Sequence, residues 1–570
     1  MKASDALARF LIAHQVHTCF ELVGGMITHM LDSFAESGQF NIVSMHHEQA
    51  AAFAAEGVAR YTKGKQVALA MGTSGPGATN LLTGVGSCWF DSVPCMFLTG
   101  QVNTHELRGA RPVRQQGFQE LDIVELARSI TKYAVRVDRT EDLLPALYQA
   151  LSLAVSGRQG PVLLDIPNNI QREEISDELV ESWLTRPLNT EDEPEVSDHA
   201  LAELTSLCEG ASRPLICLGG GARWAESMDD WLQAAEQAGI PYVSTLMGHE
   251  RIQAREHYFN MIGSYGNREA NWAVQHCDLL IVIGARLDVR QTGSDIDDFA
   301  RLARVVQVDI DSSQLDNRVK ADLNICASAG SLFQAFPLTK ALFPSLDQGW
   351  VQSLMQKREQ AGFDEYPDWG ISPAKLFNRL NTVLAGSPVD YVCDVGNHQM
   401  WAAQSLRLSK HQSVHYSGGM GAMGFALPTA IGVAMVSGRK TVVITGDGSL
   451  QINIQELDTL NRLGLDVAVI VMNNAVLGMV KNFQDMYFDG RDQSTRKGYS
   501  SPSFTDIAKA YGIPARRVGC ESEVDEALSS LAEQKGPLLI EVMMEGATEC
   551  RPRLAFGSKL DEQYPELGGQ

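Results

Sequence analysis

The sequence lacks the patterns that mark secreted and membrane-spanning chains. Its 10 cysteines are scattered, with no C-x-x-C pair and no regular spacing, which disfavours a disulfide scaffold and predicts reduced, mostly buried thiols. No apolar run reaches the roughly 20 residues that a bilayer-spanning helix needs. In the first residues, MKASDALARFLIAHQVHTCFEL, His14 and His17 interrupt a short apolar stretch, which is typical of an amphipathic helix and not of a signal peptide. A cytoplasmic protein is expected.

Positive charge is also scarce. The chain has 47 Lys and Arg residues against 69 Asp and Glu residues, a formal net charge of −22. This excess of negative charge disfavours nucleic acids and anionic membranes as the main partners. It leaves room for a local basic site that binds an anionic substrate.

Strand-length apolar runs alternate with helical patterns along all 570 residues, too many for one core. Runs such as QVALAMG, DLLIVIG and VAVIVMN predict three doubly wound α/β domains with mostly parallel sheets. The acidic, proline-containing stretch REEISDELVESWLTRPLNTEDEPEVSD and the loose AGFDEYPDWGISP predict exposed connections. The predicted domains are residues 1–175, 190–345 and 370–550, followed by a tail of residues 551–570.

A weak internal repeat relates the two outer domains. Residues 65–100 and 439–474 both read as a strand, a glycine turn, a helix and a second strand. The repeat indicates two related domains that flank a third, although any two β-α-β units share this much.

The strongest chemical motif lies in the predicted third domain. One strand ends in GDGS, residues 446–449, and the next strand ends in Asn473-Asn474. Glycines let the backbone turn tightly and approach a phosphate closely. Parallel strands place Asp447 and Asn474 at the same carboxyl edge of a sheet, where two oxygen ligands suit Mg²⁺. The alternative is that Asn473-Asn474 forms only a turn.

This pattern resembles the signature of thiamine-diphosphate enzymes, a Gly-Asp-Gly followed at this spacing by Asn-Asn. The resemblance implies that Asp447, Asn474 and the backbone carbonyl of Val476 hold the metal. It covers nearly the whole chain and is closest to the acetolactate synthases and their carboligase relatives. The resemblance implies a pyrimidine-binding first domain, a central nucleotide-binding domain and a diphosphate-binding third domain.

Two further segments of the third domain match the same family. The segment DVGNHQMW is similar to the Gly-Gln-His-Gln-Met-Trp of acetolactate synthases, which lies in their diphosphate site, although a plain surface loop is the alternative. In YSGGMGAMGF, Met423 has the position of the apolar residue that holds the cofactor in a V shape, with core packing as the alternative. The cofactor-binding residues so implied are Asn397, His398, Gly421, Met423, Gly446, Gly448 and Ser449.

Glu48 stands at the start of an alanine-rich helix in SMHHEQAAAFAAEGVAR. A carboxylate there favours a helix start, so a capping role is one alternative. Adjacent residues rarely converge on one ion, which disfavours a metal site at His46, His47 and Glu48. The resemblance implies a third role, in which Glu48 is catalytic and bonds to a pyrimidine nitrogen of the cofactor. The function of His46 and His47 is left open.

Two loops of the first domain match elements that surround the reacting centre in this family. Phe118-Gln119-Glu120 matches the Phe-Gln-Glu element, which implies that Gln119 is catalytic and that Phe118 contacts substrate; an exposed loop is the alternative. Gly25, in ELVGG, matches the loop that closes over the reacting centre.

Glycine turns and arginines at strand ends predict a dinucleotide site in the central domain. Acetolactate synthases bind FAD there with very similar segments, whereas some relatives keep the domain and bind no flavin. The candidate residues are Gly219, Gly220, Gly221, Arg286, Arg290 and Asp309.

The resemblance implies decarboxylation of a 2-oxo acid, most simply pyruvate, and transfer of the two-carbon unit to a carbonyl acceptor. Phe483 stands where biosynthetic acetolactate synthases have tryptophan, and ELVGG replaces their Gly-Tyr-Pro-Gly-Gly. These departures disfavour a role in branched-chain amino-acid synthesis. The segments VGGMITHMLDSF and TGQVNTHE resemble those of thiamine enzymes from polysaccharide clusters, among them yersiniose-type branched-sugar carboligases, which implies a ketone acceptor such as a nucleotide 4-keto sugar. The alternatives are an acetolactate synthase, with pyruvate as acceptor, and a pyruvate-oxidising flavoenzyme. A homodimer or homotetramer with the active site between subunits is expected.

Overall fold

A computed structural model describes residues 1–361 and 370–566, and within these ranges the chain forms three six-stranded sheets. Every strand pairing in those three sheets is parallel. The prediction of three doubly wound α/β domains is therefore confirmed. Their boundaries at residues 1–175, 190–345 and 370–550 stay predictions.

The first region, residues 1–184, contains the first sheet. Its strands are β1 (Thr18–Leu22), β2 (Asn41–Ser44), β3 (Ala68–Gly72), β4 (Cys95–Gln101), β5 (Tyr133–Arg136) and β6 (Val162–Pro167). Its helices are α1 (Ala3–Ala13), α2 (Thr28–Ser37), α3 (Glu48–Tyr61), α4 (Pro76–Asp91), α5 (Ile123–Ala127), α6 (Leu143–Val155), α7 (Asn168–Arg172) and α8 (Asp177–Leu184). The strands lie in the order β2, β1, β3, β4, β6, β5. The inner strands are apolar and buried because helices cover both faces of the sheet.

The central region, residues 198–361, contains the second sheet. Its strands are β7 (Pro214–Leu218), β8 (Tyr242–Ser244), β9 (Tyr258–Met261), β10 (Leu279–Ile283), β11 (Arg304–Asp309) and β12 (Leu323–Cys326). Its helices are α9 (Asp198–Gly210), α10 (Met228–Ala238), α11 (Arg268–His276), α12 (Val289–Thr292), α13 (Ala329–Ala335) and α14 (Gln348–Ala361). The order is β12, β11, β10, β7, β8, β9. Strands β8 and β9 are therefore added on one side of β7, and β10 to β12 on its other side. Open parallel sheets bind dinucleotides at such a switch point in the strand order.

The third region, residues 373–543, contains the third sheet. Its strands are β13 (Val389–Cys393), β14 (Ser413–Tyr416), β15 (Lys440–Gly446), β16 (Val467–Asn473), β17 (Ala515–Val518) and β18 (Leu538–Met543). Its helices are α15 (Pro373–Val383), α16 (Asn397–Ser405), α17 (Ala426–Ser437), α18 (Asp447–Leu450), α19 (Glu456–Leu463), α20 (Gly478–Tyr487), α21 (Phe504–Ala510) and α22 (Glu521–Glu533). The order β14, β13, β15, β16, β18, β17 repeats that of the first sheet. The shared order supports the interpretation of two related outer domains.

Helices α3 and α17 join the two outer regions. Alanine favours helix formation in α3, and its small side chain leaves room for a neighbouring backbone. A Cβ placed on Gly57 would lie 2.2 Å from the Thr429 carbonyl oxygen, and one placed on Gly432 would lie 2.0 Å from the Ala54 carbonyl oxygen. The two helices therefore cross at glycines, with reciprocal contacts.

The first predicted connection is partly helical. Within it, α8 buries Val180 against the first region's core, and Leu179, Trp183 and Leu184 pack beside it. The prediction of an exposed connection is wrong for this helix, because these apolar residues share one helical face. Part of the second predicted connection, residues 362–369, lies outside the described residues.

The tail packs onto the central region. It contains an antiparallel pair, β19 (Arg553–Leu554) and β20 (Gln563–Tyr564). Leu560 is buried in the central core, and Arg301 forms an ion pair with Asp561 at 2.7 Å. In the described part of the chain, no helix is both long and apolar enough to cross a membrane.

Candidate active site

The carboxyl edge of the third sheet brings Asp447 and Asn474 to neighbouring strand ends. Asp447 begins α18 directly after β15, and Asn474 directly follows β16, which pairs with β15. Tyr499 donates a hydrogen bond to Asp447 Oδ2 at 2.7 Å, and burial raises the pKa of Asp447 to about 6. Asn474 Nδ2 donates to the Ala547 carbonyl at 2.8 Å, and its Oδ1 accepts from the Val476 backbone N–H at 3.3 Å.

Helix α16, which follows β13 at the carboxyl edge of the third sheet, begins with two polar residues whose side chains each have an atom without a hydrogen-bond partner in the described part of the chain. Asn397 and His398 are buried, and Asn397 Oδ1 and His398 Nε2 have no hydrogen-bond partner among the described residues. Burial lowers the pKa of His398 to about 3, so its imidazole is neutral at physiological pH. A Cβ on Gly446 would lie 2.8 Å from His398 Nδ1, so glycine is required there. A buried polar atom without a partner costs free energy, and a ligand that bonds to it removes that cost.

Bare backbone and one methionine complete this half of the site. Gly421 adopts a left-handed φ of 63°, which favours glycine. A Cβ on Gly448 would stand 2.4 Å from Leu477 Cδ2 and 3.4 Å from Met423 Cε. Ser449 Oγ donates to the Val395 carbonyl at 2.7 Å.

These residues fit a metal-bound diphosphate. The Asp447 carboxylate and the Asn474 amide supply hard oxygen atoms of the kind that Mg²⁺ binds. The partnerless His398 Nε2 can donate to an anionic oxygen when the ring is protonated there. The glycine at 448 lets a ligand approach the backbone closely.

Glu48 begins α3 but does not cap it. His47 Nδ1 accepts a hydrogen bond from the Gln49 backbone N–H at 3.1 Å and is the cap. The buried Glu48 instead accepts a hydrogen bond from Asn80 Nδ2 at 2.9 Å through Oε2. Its Oε1 accepts none from the described residues and would lie 3.1 Å from a Cβ on Gly77.

The adjacent His46 contacts the third region. Its Nε2 lies 2.8 Å from Asp458 Oδ2, and its backbone N–H donates to Glu456 Oε1 at 3.0 Å. His46 and His47 therefore have structural partners here: one joins α3 to α19, and the other caps α3.

Of the predicted loop residues, Gln119 packs at the start of α4, the helix whose Gly77 and Asn80 contact Glu48. Gln119 has a left-handed φ of 63°, and its Cβ would lie 3.1 Å from a Cβ on Gly75, at the start of α4. Gly25 is exposed, and a Cβ added to it would meet no atom within 4 Å among the described residues. Phe118 is 79% exposed and Phe483, on α20, is 55% exposed. No hydrogen bond within the described ranges joins Glu48 to Asp447.

A cavity of about 480 Å³ opens at the ends of β7 and β10, the switch point in the strand order of the central sheet. Of the predicted dinucleotide residues, it is lined by Gly220, Gly221, Arg286, Arg290 and Asp309. Cavities of this size hold cofactors. The glycines, the arginines and the strand order also fit a dinucleotide.

Further contacts of the predicted dinucleotide residues occur at the strand ends around this cavity. Gly219 approaches β10 so closely that a Cβ would lie 2.1 Å from the Gly284 carbonyl oxygen. Arg286 pairs with Asp288 at 3.1 Å, and burial raises the pKa of Asp309. The outer regions also line the cavity, through Phe90 and Gly418.

Sequence reasoning missed several of these residues. Asn80 ends the glycine-rich segment TSGPGATN, residues 73–80, which reads as a strand-to-helix turn, but the sequence alone did not single out its bond to Glu48. Tyr499 carries no motif, and only the folded chain brings it to Asp447.

The comparisons with known proteins agree with this geometry. Models of three domains of thiamine pyrophosphate enzymes match the chain: the N-terminal TPP binding domain at residues 1–126, the central domain at residues 201–336 and the C-terminal TPP binding domain at residues 394–542. The chain belongs to the thiamine pyrophosphate enzyme family, and its cofactor is thiamine diphosphate, the same compound.

Several relatives match along their full length. The chain is 33% identical to the acetolactate synthase isozyme 2 large subunit of Escherichia coli K12 over 577 residues, with 100% of both chains covered. It is 33% identical to the acetolactate synthase of Arthrospira platensis, with 97% of this chain and 96% of the relative covered. It is 32% identical to a probable acetolactate synthase large subunit of Methanocaldococcus jannaschii, with 98% and 94% covered. These relatives favour the acetolactate synthase alternative over the sugar-ketone prediction.

Proposed function

We propose that the enzyme decarboxylates pyruvate and joins the remaining two-carbon unit to a second 2-oxo acid, as the names of its relatives describe. The observation that carries the proposal is the buried Glu48, held by Asn80 through one oxygen while the other is left without a protein donor. In the reaction, one carbon–carbon bond to carbon dioxide breaks and one to the acceptor carbonyl carbon forms. The acceptor oxygen takes up one proton, so two pyruvates and a proton give acetolactate and carbon dioxide.

The residues of the two half-sites divide the work. Thiamine diphosphate, when bound, accepts the electron pair that decarboxylation releases. Glu48 Oε1 holds a proton at a pyrimidine nitrogen, and Asn80 keeps the carboxylate in place. Met423 supports the cofactor's shape from beside Gly448. Gln119 and Gly25 belong to the loops that exclude water from the reacting centre.

The diphosphate of the cofactor is negatively charged, so its half of the site needs a cation and hydrogen-bond donors. Asp447, Asn474 and the Val476 carbonyl are the proposed Mg²⁺ ligands. Asn397 and His398 are the proposed diphosphate contacts at the start of α16, where the helix dipole also favours an anion. Glycines at 446, 448 and 421 have no side chain, which lets the phosphates approach the backbone closely.

FAD is the proposed ligand of the central cavity. Arg286 and Arg290 can bond to its diphosphate, Asp309 can bond to a sugar hydroxyl, and residues 219–221 give the close backbone approach. A catalytic redox role for the flavin would make the enzyme a pyruvate oxidase. Oxygen uptake with pyruvate as the sole substrate would favour that candidate over carboligation.

A larger ketone acceptor remains the second candidate function. Phe483 projects from α20 beside the exposed Tyr487 and Phe488, at ring-centroid distances of 4.7 and 5.9 Å. This aromatic surface is open to a substrate bulkier than pyruvate.

A second copy of the chain is proposed to complete the site. Exposed apolar side chains occur in both outer regions, with Val23 and Phe118 in the first and Ile452 and Phe483 in the third. A partner subunit that covered them would bring the Glu48 half of one chain to the Asp447 half of the other.

Product analysis tests the proposal. The enzyme is loaded with thiamine diphosphate, Mg²⁺ and FAD and incubated with pyruvate alone, with pyruvate and 2-oxobutyrate, and with pyruvate and a cyclic ketone. The control is enzyme from which a chelator has removed the metal. Acetolactate from pyruvate alone is the expected product, and a tertiary alcohol from the ketone without acetolactate would instead establish the second candidate.

A further inference from the structure

The loop that leads into Phe118 and Gln119 carries a concentration of positive charge. Residues 108–116, RGARPVRQQ, are all exposed and include three arginines and no acidic residue. This occurs in a chain whose formal net charge is −22. Unpaired arginines that line a site in an acidic protein attract anions locally.

Among the described residues, the guanidinium groups of Arg108 and Arg111 bond to neutral atoms only. Arg108 Nη1 donates to the Val113 carbonyl at 3.3 Å. Arg111 Nη1 donates to the Leu107 carbonyl at 3.3 Å and to Gln116 Oε1. Arg114 makes no hydrogen bond or ion pair with any residue that the structure describes. Most of their N–H donors therefore face solvent.

Glu120 folds this loop against the active-site element. Its carboxylate accepts hydrogen bonds from the backbone N–H groups of Arg108, Gln116 and Gly117 at 2.6, 2.8 and 3.2 Å. Partial burial opposes its ionisation, but these three donors and the nearby positive charge of Arg108 hold the pKa of Glu120 below its ordinary value. The carboxylate thus bonds to backbone and leaves the arginine side chains available.

The loop is also tied to the reacting centre. Gln119 packs on Gly75 at the start of α4, and Glu48 lies against Gly77, two residues further along. Arg114 and Phe118 are four positions apart in sequence, so their Cα atoms lie within about 14 Å of each other. An anionic group several bonds from an acceptor carbonyl beside Gln119 is therefore within reach of this loop.

We propose that Arg108, Arg111 and Arg114 form a binding site for the phosphate group of a phosphorylated ketone or aldehyde that serves as carbonyl acceptor. Arginine is suited to this ligand because its planar fork bonds two phosphate oxygens at once. The inference rests on the proposed carboligation and extends it to an acceptor class beyond 2-oxo acids.

A matched pair of ketones tests this inference. Dihydroxyacetone phosphate and dihydroxyacetone are titrated by calorimetry into the full-length enzyme loaded with thiamine diphosphate and Mg²⁺, and each is also supplied with pyruvate for product formation. The variants are Arg114→Gln and the triple variant in which Arg108, Arg111 and Arg114 are all glutamine. The control is Arg139→Gln, an exposed arginine of the same region that pairs with Glu141. Thermal unfolding checks that the variants fold.

The triple variant is expected to weaken binding of dihydroxyacetone phosphate at least about tenfold, with less than about a twofold effect on dihydroxyacetone. The phosphate compound should also lose affinity as salt rises in the wild-type enzyme, and less so in the triple variant. The control should match the wild type.

Equal effects on the two ketones would overturn the inference, and so would a triple variant that binds both as the wild type does. Dissociation of subunits by the triple variant, with an unchanged preference between the ketones, would assign the arginines to a subunit contact instead. Absence of product from pyruvate with every acceptor would contradict the proposed function, whereas the calorimetric comparison alone decides the phosphate site.

Discussion

At the first turn of α3, capping and chemistry are divided between adjacent residues. His47 caps the helix and leaves the Glu48 side chain free to bond to Asn80. If the carboxylate itself capped the helix, its oxygens would accept hydrogen bonds from backbone N–H groups and would not be available to a ligand. The arrangement explains why a charged residue can lead so apolar a helix and remain available to a ligand.

Asp165 is a buried carboxyl of the first region that is not among the proposed ligand residues. It lies on β6, accepts hydrogen bonds from Thr99 and Gln101 at 2.7 and 2.9 Å, and has Arg136 and Asp122 as its nearest charges. Burial raises its pKa from 3.8 to about 7. The folded chain therefore keeps the Asp165 proton up to about pH 7, whereas the unfolded chain releases it near pH 4.

Because the folded state binds the extra proton, the stabilisation is complete below pH 4 and is lost as the pH rises towards 7. We expect the wild type to lose stability relative to Asp165→Asn between pH 5 and 7, by up to about 1.4 kcal/mol per pH unit. Thermal midpoints of both proteins across this range measure the difference. The exposed Asp230→Asn is the control, and parallel profiles for the wild type and Asp165→Asn would contradict the expectation.

At the scale of elements, the α3–α17 crossing fixes the two outer regions to each other. The approach depends on Gly57 and Gly432, because a side chain on either would overlap a carbonyl oxygen of the opposite helix. Gly57→Ala should lower stability by about 1–3 kcal/mol through overpacking, seen as a lower thermal midpoint.

Gly210→Ala is the matched control for the glycine substitution. It lies at the end of α9, where an added Cβ would meet nothing within 4 Å. This change should leave stability unchanged or raise it slightly, because alanine restricts the unfolded chain. A Gly57→Ala protein as stable as the control would show that the two helices can separate without loss.

The sheets could be predicted from sequence because each inner strand is a short apolar run between turn residues. The same rule located Asp447 and Asn474, since strand ends define a sheet edge. Tyr499 could not be predicted at Asp447, because the two residues are 52 positions apart and no motif or strand end marks Tyr499. Helix α8 was misjudged because its acidic residues obscured the apolar face formed by Val180 and Trp183.

Across the whole molecule, a buried ionic cluster joins all three regions. Arg60 bonds to Glu56 at 2.6 Å, to Asp91 at 2.5 Å and to Glu250 of the central region at 3.2 Å. Asp91 also accepts the backbone N–H groups of residues 418 and 419 in the third region. Sequence could not reveal this cluster, because Arg60 and Glu250 lie 190 residues apart.

Arg60→Met would leave these carboxylates buried without their main partner. Removal of one member of a buried ion pair costs about 3–5 kcal/mol, so the thermal midpoint should fall clearly. Arg139→Met, which breaks only an exposed pair with Glu141, should change it little. Equal midpoints for the two variants would mean that the cluster does not hold the regions together.

The central claim is that Glu48 of one chain and Asp447 of another act in one thiamine-diphosphate site. Glu48→Gln and Asp447→Asn chains, each nearly inactive alone, can be co-expressed with different affinity tags and purified as mixed dimers. One of the two sites in a mixed dimer then keeps both native residues.

Acetolactate formation from pyruvate by these mixed dimers is the decisive measurement. The account predicts recovery to about half of the wild-type rate per dimer, since one of two symmetry-related sites is intact. Mixed dimers as inactive as their parents, or a Glu48→Gln parent with the wild-type rate, would contradict it.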